Sequence, residues 1–211
     1  GMDAGGLFRE SFREMCAELQ PTAAVPPPGG GLALLVPSPN QRAGAGPGRD
    51  RWILNPRQAS AEDLAMLRFL GSALGASLRH GLALELDLAG LEWRRLLGQT
   101  LTEVDLAAVD EAFCRWLAES RAATAAGPAR WKALGRVWAV PASAPRGAVA
   151  ELQAGGARRA VAYHDAAEYL GACVAYRLRG EAAPQAAALR EGFLSAVPGA
   201  VLRLVDWRGG G

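Results

Sequence analysis

Histidine, cysteine and lysine are scarce in these 211 residues, and each scarcity removes a class of chemistry. The two histidines, His80 and His164, and the three cysteines, Cys16, Cys114 and Cys173, lie far apart and form no CxxC pair. A structural zinc site is therefore not expected, and neither is any cofactor. A sparse, odd cysteine count suits a reducing compartment. No apolar run has the length that spans a bilayer or directs secretion, so the chain reads as intracellular and cytoplasmic, with no membrane partner. Of the 23 basic residues only Lys132 is a lysine, and 21 acidic residues are interspersed among them. That balance lacks the electrostatic footprint of a nucleic-acid binder, and a coding or compositional bias, with alanine and glycine abundant too, explains the arginines as easily as function does. The glycine strings at 29–31 and 44–48 do not lead into a Gly-Lys-Ser/Thr helix start, which excludes a phosphate loop.

What is present is a chain long enough for one sizeable domain or a domain with a smaller subdomain, half of it hydrophobic. Residues 3–19 space Leu7, Phe8, Phe12, Met15, Cys16 and Leu19 as an amphipathic helix that stops before Pro21. Residues 21–31 read as a loop, 32–36 as a short strand ending at the PSPN of 37–40, 42–48 as a second loop, and RWILNP at 51–56 as another strand closed by Pro56. Ser60 and Asp63 have capping-box spacing and open a helix whose Leu67, Leu70, Leu74 and Leu78 recur on one face. On a neighbouring face Gly71 with Gly75, and Ser72 with Ala76, put small residues four apart, where another backbone can approach closely. Arg79, His80 and Gly81 mark the end of that helix, and 82–88 look strand-like.

Thr102 with Asp105 repeats the capping device, and Leu106, Val109, Phe113 and Leu117 form a stripe broken near Asp110. Residues 120–127 read as a loop, and 131–140 with 148–152 as a strand pair joined by 141–147. Asp165 with Glu168 caps a further helix that puts Tyr169, Cys173 and Tyr176 on one face and ends at Gly180; a last helix runs from about Pro184 to Pro198. His80 and His164 sit where an imidazole satisfies backbone groups at helix ends, and the carboxylates Glu62, Asp63, Asp105 and Asp110 are accounted for by capping and solvation.

The order of several of these segments is familiar. DAGGLFRE, the pair LLVPSPN and RWILNP, FLGSALGASLRHG, LEWRRLLG, LTEVDL, AEYLGACVAYRL and ALREGF together resemble the amino-terminal lobe of HECT-type ubiquitin ligases, from residue 3 to about Trp207. LEWRRLLG and Trp207 look nearer to the large HERC-type ligases. The resemblance implies an α+β fold, mainly α-helical. It implies a large helical subdomain with short strands over about 3–110 and 180–207, a small conjugating-enzyme-binding subdomain over about 111–179, and a carboxy-terminal catalytic lobe absent from this chain. In the family the amino lobe recruits a ubiquitin-charged conjugating enzyme, and a cysteine in the other lobe accepts ubiquitin as a thioester. None of Cys16, Cys114 and Cys173 has the family's Thr-Cys-Phe context, so no catalytic residue is expected here and the chain alone is expected to be inactive.

The family's groove for an aromatic anchor of the conjugating enzyme falls on Phe113, Leu117, Leu134, Tyr169 and Cys173. Without the resemblance, the one-turn spacing of each pair would equally serve core packing. On the groove reading, Tyr169→Ala is expected to weaken binding more than it destabilises the fold. Two departures stand out: Cys173 where several members place an aromatic wall, and ARWK at 129–132 where those members are acidic. Trp116 or Trp131 is a candidate substitute wall, and the reversed charge disfavours partners with basic residues beside their anchor. The implied partners are a ubiquitin-conjugating enzyme, ubiquitin, and a protein substrate bound through other regions. The competing function is a degenerate, non-catalytic lobe that acts as a protein-binding scaffold or binds ubiquitin noncovalently.

Overall fold

A computed structural model describes residues 4–20, 33–57, 59–82, 85–145 and 147–199. The loop expected at 21–31, Leu32 and Trp207 lie outside these residues. The elements in chain order are α1 (Ala4–Leu19), β1 (Leu35–Pro37), α2 (Pro39–Ala43), β2 (Trp52–Leu54), α3 (Ala61–Arg79), α4 (Gly90–Leu97), α5 (Glu103–Ala107), α6 (Glu111–Ala126), α7 (Pro128–Ala133), β3 (Ala139–Pro141), β4 (Val149–Glu151), α8 (Ala166–Ala175) and α9 (Ala183–Ala196). The fold is α+β and mainly helical, with two short antiparallel strand pairs. None of the described helices is long and apolar enough to cross a membrane.

The chain forms two compact units. The first gathers the described residues up to Pro37, Asp50–Thr100 and those from Ala182 onward; the second comprises Ser38–Arg49 and Leu101–Glu181. In the first unit β1 pairs with β2, Leu35 opposite Leu54 and Pro37 opposite Trp52, as the two short apolar runs suggest. Their side chains join a core with Cys16, Leu19, Leu67, Leu70, Leu74, Leu189 and Phe193. Of the strand expected at 82–88, the described residues 82 and 85–88 form none: a single parallel bridge, Trp52 to Leu88, is the only ladder contact among them. Leu78 also departs from the expected stripe, 53 % exposed, because it stands beside Leu194 and Val197 where α9 is ending.

The capping box at the start of α3 is complete: Ser60 Oγ accepts from the Asp63 N–H at 3.1 Å and the Asp63 carboxylate accepts from the Ser60 N–H at 3.0 Å. Gly71 and Gly75 perform the close approach their spacing implies, against α9. A Cβ at Gly71 would fall 2.0 Å from the Leu189 carbonyl oxygen, and one at Gly192, on the facing helix, 1.8 Å from that of Arg68. Neither backbone can yield without moving its whole helix. Gly71→Ala is therefore expected to cost about 2–3 kcal/mol through overpacking, read as a lowered urea midpoint; an unchanged midpoint would show that the helices separate freely.

In the second unit Asp110 divides the expected stripe, its carboxylate accepting from the Phe113 N–H at 2.9 Å as the N-cap of α6. Residues 120–127 are not a loop: α6 continues through Ala126 and stops at Gly127, whose φ is 104°. The alanines there are strong helix formers, and the hydroxyls of Ser120 and Thr124 donate to the carbonyls of Trp116 and Ser120 instead of competing for a turn. Residues 131–133 are likewise helical, because Pro128 occupies the first turn of α7 and its fixed φ starts a helix. The strand pair is real but shorter than expected, β3 against β4 with Val140 opposite Ala150.

Two further elements differ. Ser38 caps α2, its hydroxyl accepting from the Gln41 N–H at 3.1 Å, with Pro39 in the first turn, so the PSPN read as a strand end opens a short helix. Asp165 precedes α8 but makes no capping bond; it pairs with exposed His164 at 3.3 Å. The α2 segment is held in its unit by Asn40, whose amide donates to the Pro47 and Ala107 carbonyls and whose oxygen accepts from the Glu111 N–H. Those bonds group Ser38–Arg49 with the residues from Leu101 onward.

Candidate functional site

Tyr169 is the centre of the second unit. It is 1 % exposed, its hydroxyl donates to the Ala139 carbonyl at 2.8 Å, and three tryptophans meet it edge-on: Trp116 at 6.3 Å, Trp131 at 6.2 Å and Trp138 at 5.8 Å between ring centroids. Such perpendicular contacts set a positive ring edge against a negative face. Burial pushes the Tyr169 phenol well above its usual range. Phe113, Leu117 and Cys173 are also buried, and Leu134, just after α7, is half-buried. Four of the five residues assigned to the groove thus lie in the interior of one unit. Trp131, considered as a surface wall, is 2 % exposed and donates its indole N–H to the Val161 carbonyl at 2.9 Å, so it is a core residue. Trp116 is half-buried and does face outward.

Trp116 stacks on Phe113, with centroids 5.5 Å apart and planes 21° from parallel. Guanidinium groups close both ends of the stack, Arg136 lying 4.6 Å from the Trp116 centroid and Arg177 4.4 Å from that of Phe113. Trp116 and Phe113 also line a hollow of about 540 Å³ with Pro39, Ala112, Pro141 and Ala142 as apolar walls and Arg42, Asp110 and Ser143 as polar ones.

Beneath the hollow is a buried charge network. Arg177 bonds the Asp110 carboxylate at 2.7 Å, that of Glu181 at 3.0 Å and the Pro141 carbonyl at 3.2 Å. Glu181 accepts from the Ser143 N–H, and Arg42 donates to the Ser143 carbonyl. Burial, and less strongly the neighbouring Arg177, pulls the Arg42 guanidinium below its usual range, while Asp110 and Glu181 act to restore it. Arg177 lies on a π-helical turn, Tyr176–Gly180, that extends α8. Sequence reasoning did not single out this network; its one signal is an arginine inside the apolar run GACVAYRL, where a buried charge demands partners.

The thiols are poor nucleophiles. Burial, reinforced by Glu85, pushes Cys16 up to about 11, and burial pushes Cys173 up to about 11. Cys114 is raised too, by burial first and then by the charges of Asp110 and Glu103. Each is therefore held as the thiol, the unreactive form, at neutral pH.

Comparison with known proteins gives the family. A model described as HECT-domain (ubiquitin-transferase) matches residues 35–209. The chain is 34 % identical over 202 residues to E3 ubiquitin-protein ligase HERC2 of Mus musculus, covering 96 % of the chain and 4 % of that protein, and the Homo sapiens protein of the same name gives the same figures. A probable E3 ubiquitin-protein ligase, HECTD4 of Homo sapiens, is 32 % identical over 106 residues, half of this chain and 2 % of that protein. The chain thus spans a small fraction of these relatives, and its likeness to the HERC-type ligases extends along nearly its whole length. With the family model covering well over half of its residues, the chain belongs to the HECT-domain (ubiquitin-transferase) family, within the amino-terminal lobe.

Proposed function

We propose that this chain recruits a ubiquitin-charged conjugating enzyme through the unit formed by Ser38–Arg49 and Leu101–Glu181, and that ubiquitin then passes to a catalytic cysteine carried outside these 211 residues. The observation that carries the reading is Trp116, half-buried and stacked on Phe113 beside an open hollow of about 540 Å³. Aromatic groups that meet in a desolvated pocket dominate interface energies, and Trp116 already has a supporting shell. Phe113, Leu117, Leu134, Tyr169 and Cys173 act in this reading as the packed support beneath the docking surface.

Thioester exchange needs a thiolate, and the raised values of Cys16, Cys114 and Cys173 support a role for this chain in recruitment, with no transfer by the chain alone. Ubiquitin is the cargo, a protein substrate is bound by other regions, and the cytoplasm is the compartment.

Titration against a panel of ubiquitin-charged conjugating enzymes tests this. Trp116→Ala should weaken binding about tenfold or more. Ala112→Glu, a charge placed at an exposed position of α6 on the wall of the hollow, should do so while leaving the melting temperature unchanged. If no conjugating enzyme binds the wild-type chain, the recruitment reading fails and a non-catalytic scaffold or noncovalent ubiquitin-binding module takes its place; titration with free ubiquitin separates those two.

A further inference from the structure

The Trp116 ring has neither face to offer a partner. Phe113 lies against one face, with planes 21° from parallel, and the Arg136 guanidinium covers the other, 4.6 Å from the ring centroid. Arg136 is held in place there, donating to the Ser120 hydroxyl at 3.1 Å and pairing with the Glu119 carboxylate at 3.5 Å. What reaches the hollow is therefore the edge of the indole, and the edge is the positive part of an aromatic quadrupole. Arg42, exposed on the α2 wall of the same hollow, adds a full charge of that sign. Burial disfavours that charge and the carboxylates of Asp110 and Glu181 favour it, so a further carboxylate at this wall is favourable too. Arg115 is exposed on α6, one turn along from Ala112 of the wall, and among the described residues no carboxylate pairs with it. Of the carboxylates nearby, Asp110 and Glu181 hold Arg177, Glu119 holds Arg136, and that of Glu111 turns toward Gly46. The unit also carries more arginine and lysine than aspartate and glutamate, which gives the approach to the hollow the same sign.

We infer that this hollow selects conjugating enzymes by charge, taking one whose anchoring side chain is flanked by an aspartate or glutamate, with Arg42 and Arg115 receiving that carboxylate. The inference rests on the recruitment reading above and names the class of enzyme recruited. An aromatic anchor sets the negative face of its ring against the Trp116 edge, and the neighbouring carboxylate meets the two guanidinium groups. A lysine or arginine in the carboxylate's place brings like charges together across the same wall, which slows encounter and opposes docking.

The test titrates the 211-residue chain with ubiquitin-charged conjugating enzymes grouped by the charge beside their anchor, at low and at physiological salt. Enzymes with a carboxylate there should bind about tenfold or more tighter than those with a lysine or arginine, and the margin should shrink as salt rises. In the tightest binder, changing that carboxylate to lysine should weaken binding about tenfold, and Arg115→Glu in the chain should restore the affinity of the lysine variant. Arg115 is exposed, so Arg115→Glu should leave the melting temperature unchanged. Arg42→Gln, whose parent side chain donates to the Ser143 carbonyl, is titrated where its melting curve shows it folded, and should bind the acidic enzyme more weakly than the wild type does. Equal affinity for the two groups, tighter binding of the basic group, or a lysine variant that binds Arg115→Glu no better than the wild-type chain overturns selection by charge and leaves recruitment standing. Binding by no enzyme of either group overturns both readings.

Discussion

Arg177→Ala should destabilise the second unit by about 3–5 kcal/mol, because it strands two carboxylates that the fold has taken out of water. Arg177 is 3 % exposed, and the side chains of Asp110 and Glu181 are 8 % exposed. Each carboxylate also has a structural duty, Asp110 as the cap of α6 and Glu181 as the acceptor for the Ser143 N–H. The loss would therefore spread to both backbone segments. Arg177→Lys should recover only part of it, since an ammonium is a compact charge without the planar fork that reaches Asp110, Glu181 and the Pro141 carbonyl together. Combining Arg177→Met with Asp110→Asn and Glu181→Gln should recover part of it, because the network's three most deeply buried charges are then gone while the amide side chains still serve the backbone, and Arg42 loses the two carboxylates that favour its charge. Urea unfolding of the four proteins checks the series; an Arg177→Ala midpoint equal to that of the wild type would mean that water reaches the carboxylates.

Tyr169→Ala should have an effect of the same size, about 3–5 kcal/mol, through loss of the ring and the cavity left among three tryptophans. Tyr169→Phe keeps the ring and removes only the hydroxyl, leaving the Ala139 carbonyl unsatisfied at a cost of about 1–2 kcal/mol. This reverses the weight assigned from sequence, where Tyr169 was expected to act first in binding. With 1 % exposure it offers almost no surface to a partner, so the apparent affinity of Tyr169→Ala should follow the fraction of folded protein. Tryptophan fluorescence during denaturation, beside a titration at a temperature where the variant is folded, separates the two. A stable variant with weakened binding would place Tyr169 at the interface after all.

The elements that local chemistry specifies were legible in the chain itself. Ser60 with Asp63 determined the start of α3, Asp110 the break before α6, and the Gly71–Gly75 spacing the close approach of a second helix. In each case the deciding interaction lies within one helical turn, or requires only that a side chain be small. Where the reading failed, short-range signals conflicted. Small residues at 120–126 suit a loop as well as a helix, and only the continuation of a helix already nucleated by Asp110 settles the matter. PSPN looks like a strand end until Asn40 finds acceptors in Pro47 and Ala107.

The sequence by itself determined the family, the mainly helical α+β class and the positions of the main helix caps, because these rest on periodicity, on spacing and on the order of many short matches. It did not determine which aromatic residues are interior and which face outward. Phe113, Trp116, Trp131, Trp138 and Tyr169 carry similar apolar signals, yet the contacts of Tyr169 with Trp116, Trp131 and Trp138 span 53, 38 and 31 residues and the Trp131 N–H reaches Val161 across 30, partners that meet only in the folded unit. The pairing of Arg177 with Asp110, 67 residues apart, has the same origin. A buried charge declares that partners must exist, and only the tertiary structure names them, since the desolvation that makes the pair matter is created by the packing of the whole unit.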